Sequence, residues 1–457
     1  MRFIYLRGTP PRATIRISSR AAGETMPAAA TCDRLRERKS FMGMLELDGQ
    51  RYLDGHASDP RELGWMRGAP PPADKRITFE SDCFRTFPQI RWSLSHMREL
   101  TTTVNVWRGP DEPSKLERLD RTTEIDALAF TDANGRSRRF EEALFDTYAD
   151  GILVLHRGRI VYERYFGSLE PHLPHACHSV TKSYVGTLAA AFVHEGVLDD
   201  GKAIPYYLPE LQGSAWEDAT LRQVMDMQTG LAHAEVYADE NSDLWDYARA
   251  CGFRPQLAGY SGPKTMCDYL QTIRKKGAHG GSFEYLTVNT EIVAWVMSRV
   301  TGHSFAQLLQ ERLWAPLGCE DDANIIVDSA GMPMAGGGLS TSLRDLARFG
   351  EMIRQEGEWN GRQILPASVI ADIRRGGDRA KFTIKGMPGY SYRSMWWVPH
   401  DEFGAIEAQG IHGQRLYVAP GAEMVIAQFA SHPLASTVLS DVITVPQMLE
   451  LGRLLHG

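Results

Sequence analysis

Cysteine is sparse in this chain and shows no pairing pattern. The 457 residues include Cys32, Cys83, Cys177, Cys251, Cys267 and Cys319, and none of them forms a C-x-x-C pair. That spacing argues against a zinc ribbon or finger and against a disulfide framework. Free thiols in a reducing cytoplasm are the expectation. Long apolar runs are missing too: nothing approaches the roughly 20 residues of a membrane span, so no membrane partner is expected. A basic surplus is also absent. The net charge is −7 with acids and bases interspersed, whereas a nucleic-acid binder gathers positive charge on one element. No internal repeat is visible.

The rest of the composition is that of a globular protein, with 43% hydrophobic and 23% charged residues. The length implies one large domain carrying an inserted second one, or two domains. The N-terminus has five arginines before its first acid, Glu24, and no continuous apolar segment, which makes it a poor secretory signal. It reads as a disordered basic tail over the first ~40 residues, or as sequence upstream of a start at Met26, Met42 or Met44. The Pro-rich GAPPPADKR (68–76) reads as an extended surface arm.

GILVLHRGRIVYERYF (151–166) predicts a hairpin, two β-rich runs about a His-Arg-Gly turn. Residues 179–199 carry apolar side chains at helical spacing, with Gly196 near the end as a C-cap. Residues 205–310 are mostly helix-patterned, with loops at 229–243 and 276–284. Helices are expected at 290–302, at 304–318 with Ser304 as N-cap, and at 340–357. Strand signals return at SYRSMWWVP (391–399), QRLYVAP (414–420) and MVIAQFA (424–430), and VPQMLELGRLLHG closes the chain as a helix. Strands at both ends with a helical stretch between them imply one α/β domain with an all-helical insertion.

Three short segments carry chemistry. In Ser179-Val180-Thr181-Lys182, a hydroxyl and an amine sit one helical turn apart. A serine needs a base to become a nucleophile. A lysine serves as that base once burial or a nearby cation lowers its pKa. At a helix start, the serine also sits at the positive end of the dipole, which favours an oxyanion. The spacing alone is weak, because Ser261-Gly262-Pro263-Lys264 repeats it; the Gly and Pro there predict a loop. The second segment places Tyr285 at a loop-to-helix junction, from which a phenol can project into a cleft or lie half-buried. The third, Ala408 to Gln414, has Gly410 and Gly413 on what reads as an edge strand, where a ligand can approach backbone N–H groups; a glycine-rich bulge is the plainer alternative.

The order of these segments, helix start, helical insertion, then sheet strand, resembles the penicillin-recognising serine hydrolases. HSVTKS, YYLPEL, MDMQTGL, FEYLTVNTEIVAWVMSRVTG, GGGLSTSLRDLARFG and GIHGQRLYVAP resemble their nylon-oligomer (6-aminohexanoate-dimer) hydrolase branch over residues 85 to 457. The resemblance implies a β-lactamase/DD-peptidase-like α/β fold, an antiparallel sheet flanked by helices. It implies an arm at 1–84, an α/β domain at 85–204 and 320–457, and a helical insertion at 205–319. It assigns catalysis to Ser179, Lys182 and Tyr285, the oxyanion to the N–H groups of Ser179 and Ile411, and substrate contacts to Tyr237, Trp397, Gly410, Ile411 and His412. It calls for no metal and no cofactor, a small-molecule amide or ester as partner, and leaves a homodimer open. Two positions depart from the pattern: Thr287 replaces an asparagine, and Ala408 replaces a lysine that meets substrate carboxylates in β-lactamases and DD-peptidases. A linear amide of nylon-dimer type or a small ester is therefore favoured over a β-lactam. A ligand-binding pseudoenzyme is the alternative from another class. Around Tyr237, Glu235, Asp239, Glu240, Asp243 and Asp246 form either a solvated surface or a negative field over the cleft.

Overall fold

The computed structural model describes residues 43–256 and 258–457; the expected disordered tail lies outside them. Seven strands make the main sheet: β1 (Ala149–His156), β2 (Arg159–Tyr165), β3 (Ser391–Arg393), β4 (Trp396–Val398), β5 (Ile406–Gly410), β6 (Gln414–Ala419) and β7 (Met424–Ala430). Their spatial order is β3-β4-β5-β6-β7-β1-β2, antiparallel throughout. The N-terminal hairpin thus completes a C-terminal meander, with Ile152 of β1 opposite Gln428 of β7. The β1–β2 turn has positive φ at Arg157 (52°) and Gly158 (73°), the geometry that matches the twist of a two-residue hairpin.

The helices that bear on the core and the site are α1 (Thr181–His194), α2 (Asp243–Ala250), α3 (Val288–Thr301), α4 (Leu343–Arg354) and α5 (Val438–His456), of which α1, α4 and α5 contact the sheet. Successive side chains of a strand point to opposite faces. Leu153, Leu155, Val425 and Ala427 therefore enter one core with Leu346 and Phe349 of α4, while Ile152, Val154, Met424 and Ile426 enter another with Met448 and Leu451 of α5. Each such fully buried side chain contributes about 1.5–3 kcal/mol. Residues 205–319 are mainly helices and turns, with only the two-residue strands Leu231–Ala232 and Arg274–Lys275. Their apolar side chains join the α4-side core. Among the described residues no helix is long and apolar enough to cross a membrane, and the described cysteines are free thiols.

Two local expectations change. SYRSMWWVP is not one strand but the β3–β4 hairpin, turned at Ser394 and Met395, both with positive φ. The strand carrying Ala408–Gly410 is not at the edge: β5 lies third from it. Its single residue pair with β4 is Trp397–Glu407, and beyond that pair Gln409 and Gly410 line a cleft instead of meeting a strand. The access expected of an edge arises inside the sheet.

Candidate active site

A 3₁₀ turn, His178–Val180, leads into α1 and puts Ser179 immediately ahead of it. Lys182 Nζ donates to Ser179 Oγ at 2.9 Å and to the Gly336 carbonyl at 2.5 Å. Nζ also stands 5.2 Å from the centre of the Tyr285 ring. The Tyr285 hydroxyl is hydrogen-bonded to Ser179, and burial pushes its pKa up. Burial pushes the Lys182 ammonium down to about 8, against the opposing pull of Glu235 and Glu291. A lysine in that range is neutral often enough to accept a proton from a serine. Ser179, Lys182 and Tyr285 are thus brought together, while Ser261 and Lys264 lie in an exposed loop.

Behind Lys182 is a carboxylate that sequence reasoning missed. Glu291 of α3 is fully buried. It accepts from Tyr247 Oη at 2.6 Å and from the N–H groups of Gly336 at 2.7 Å and Ala335 at 3.0 Å. Burial pushes its carboxyl up to about 7. The signal was present as one acid inside the apolar run TEIVAWVM. Gly336 must be glycine, because a Cβ there would meet Thr287 Cγ2 at 2.4 Å and Glu291 Oε1 at 2.7 Å. Thr287 donates its hydroxyl to Glu235 Oε2 at 2.9 Å, and its N–H bonds the other carboxylate oxygen. His233 pairs with the same acid at 3.4 Å.

Two cavities, of about 70 and 100 Å³, meet at Ser179 and Ile411, which line both of them. Tyr237 and His412 line the smaller; Tyr285, Trp397 and Gly410 line the larger. Trp397 stacks on Tyr285 with ring centres 5.3 Å apart at 24°. Gly410 is required by close approach, since a Cβ would come within 2.7 Å of the Cys177 carbonyl, two residues before Ser179. His412 takes a left-handed φ of 63°, bonds the His432 carbonyl through Nδ1 at 2.7 Å, and is pushed by burial down to about 4. Phe84 and Arg85 also line the smaller cavity, a contribution from the chain's first hundred residues that no local motif announced.

The acid-rich loop does not leave a bare negative field. Glu240 pairs with Arg85 at 3.2 Å and Arg254 at 2.7 Å, and Asp246 pairs with Arg249 at 3.1 Å. Asp243 accepts the Ala234 N–H at 2.8 Å, and Glu235 is buried against Thr287. The sequence shows the acids in a row but not the arginines that the fold sets against them.

The profile of the Beta-lactamase family matches residues 138–436. The chain belongs to the beta-lactamase family. Among family relatives, it is 33% identical over 374 residues to the 6-aminohexanoate-dimer hydrolase of Paenarthrobacter ureafaciens, covering 79% of this chain and 92% of that protein. A Bacillus anthracis structure named for the same hydrolase superposes with a TM-score of 0.77 at 32% identity, covering 85% of this chain and 99% of that one. A penicillin-binding protein homologue from Caulobacter crescentus, 15% identical, shares the fold at a TM-score of 0.51 over 68% of this chain and 95% of its own. Membership of the beta-lactamase family makes this chain a serine hydrolase of amide or ester bonds.

Proposed function

We propose that Ser179 is the nucleophile, Lys182 its base and Tyr285 the proton donor to the leaving group, in the hydrolysis of a linear amide or small ester. The observation that supports this reading best is the position of Ser179 and Ile411 at the waist between two cavities, with Lys182 Nζ 2.9 Å from Ser179 Oγ. Ser179 Oγ attacks the carbonyl carbon and its proton passes to Lys182 Nζ. The N–H groups of Ser179 and Ile411 take the oxyanion, a contribution of about 10²–10³ in rate per donor in comparable sites. The tetrahedral adduct collapses to an acyl-serine ester as the leaving nitrogen or oxygen receives a proton through Tyr285. Water then attacks the acyl carbon, releases the acid and returns the proton to Ser179.

The same reading keeps residues 205–319 as a helical insertion between 85–204 and 320–457, with 1–84 as an arm. It also places the protein in the cytoplasm, on its scattered free cysteines. A screen of p-nitrophenyl esters, nitrocefin and 6-aminohexanoate dimer, run beside fluorophosphonate labelling, tests it. Labelling at Ser179 with turnover of an ester or linear amide is expected. Ligand binding with neither labelling nor turnover is the pseudoenzyme outcome and overturns it.

A further inference from the structure

The two cavities differ in a way that sorts the halves of a substrate. Tyr285, whose phenol bonds Ser179, lines only the larger one, with Trp397 stacked on it. A leaving group that receives its proton through Tyr285 lies on that side, so the acyl chain lies in the smaller cavity. The larger cavity is lined by charged groups of both signs, Lys385 and Asp441. The smaller is walled by Phe84, Leu94, Met97, Phe253 and Met334. Among the described residues that line it, Arg85 is the one with a permanent charge, and that charge is positive. Arg85 is already paired with Asp82 at 2.8 Å and Glu240 at 3.2 Å, and its guanidinium stands 4.5 Å from the Trp245 ring centre. Among the described residues no carboxylate lines this cavity. The nearby acids are committed, Glu240 to Arg85 and Arg254, and Glu235 to Thr287 and His233. The remaining polar groups include His178 and His412, whose imidazoles burial holds in the neutral form. His178 Nε2 is buried and has no hydrogen-bond partner among the described residues, so it can meet a neutral polar group but not balance a cation.

We propose that the acyl half of the substrate is an uncharged, largely apolar chain seated against Phe84, Met97 and Phe253, and that an acyl chain ending in a cation is rejected. This rests on the serine-hydrolase reading above and narrows its substrate class. An ammonium group entering the cavity would lose its water and meet no anion, whereas an alkyl end gains contact on every side.

The test uses two p-nitrophenyl esters with identical leaving groups, one acyl chain ending in trimethylammonium and the other in the isosteric tert-butyl group. The full chain should hydrolyse the neutral ester with kcat/KM at least about tenfold higher, and the ratio should survive high salt because the penalty is desolvation rather than long-range field. Phe253→Ala should move the chain-length optimum among plain alkanoyl esters toward longer chains. Equal or faster hydrolysis of the cationic ester overturns the proposal while leaving the hydrolase reading intact. So does an unchanged chain-length optimum in a folded, active Phe253→Ala. No nitrophenol release from either ester, with no labelling of Ser179, overturns both readings at once.

Discussion

Glu291 reaches Lys182 through a single residue: its carboxylate accepts the Gly336 N–H at 2.7 Å, and the Gly336 carbonyl accepts from Lys182 Nζ at 2.5 Å. The link fixes where the ammonium sits and sets part of its proton affinity. A base acts in its neutral form, so with Lys182 held near 8 kcat/KM should rise about tenfold per pH unit below that value and level off above it. Glu291→Gln removes the negative charge that the carboxyl carries above about 7 and that favours the ammonium there, so the acid limb should reach its plateau at lower pH. The plateau should also fall by about tenfold, because the amide cannot accept both backbone N–H groups. A pH profile of kcat/KM on a p-nitrophenyl ester reads both effects. An unmoved or raised limb contradicts the electrostatic role.

Trp397 stacks on the Tyr285 ring, and both side chains are buried. Trp397→Ala should lower kcat by about ten- to a hundredfold by letting the phenol stray from its position. Trp397→Phe, which keeps a stacking face, should retain most of the activity. Steady-state kinetics of the two variants separate packing from mere bulk, and equal losses would remove Trp397 from a positioning role.

Gly410 tests the close approach of β5 to the turn that carries Ser179. An added methyl would sit 2.7 Å from the Cys177 carbonyl, and backbone atoms yield poorly, so Gly410→Ala should cost about 1–3 kcal/mol of stability. Activity should fall with it, because the Ile411 N–H moves. Gly281, with nothing within 4 Å of its added Cβ, is the control and should melt like wild type.

Ala408 is fully buried, at the position where the resemblance to β-lactamases and DD-peptidases implies a lysine. One missing charge-assisted hydrogen bond is worth about 1.5–3 kcal/mol, roughly ten- to a hundredfold in kcat/KM. Nitrocefin should therefore turn over more slowly than p-nitrophenyl butyrate. The opposite ranking would show that another cation takes the β-lactam carboxylate.

Much of the site lay open in the sequence, and the reasons are local. Ser179 and Lys182 share a helical turn, Tyr285 sits where glycines end and a helix starts, and Gly410 ends a strand, so short-range spacing placed each on the right kind of element. The β1–β2 hairpin and the caps at Ser304, Gly302 and Gly318 follow from the same kind of short-range chemistry. What stayed hidden depends on contacts far apart in the chain. Phe84 reaches the cavity beside Ser179 across nearly a hundred residues, Arg85 and Arg254 neutralise Glu240, and β5 turns out to be interior because β3 and β4 pair beyond it. No periodicity records such pairings. Glu291 is intermediate: an acid in a buried helix signals a partner but does not say which.

The measurement that bears most directly on the whole account is the turnover of purified Ser179→Ala beside Ser261→Ala, with both variants checked for a wild-type melting curve. The two serines stand in the same S-x-x-K spacing, one beside a buried lysine and one in an exposed loop. Ser179→Ala should fold normally, at a cost of at most about 1–2 kcal/mol, and lose all but background hydrolysis and all fluorophosphonate labelling, while Ser261→Ala keeps both. More than a few per cent of wild-type kcat in Ser179→Ala would contradict the account.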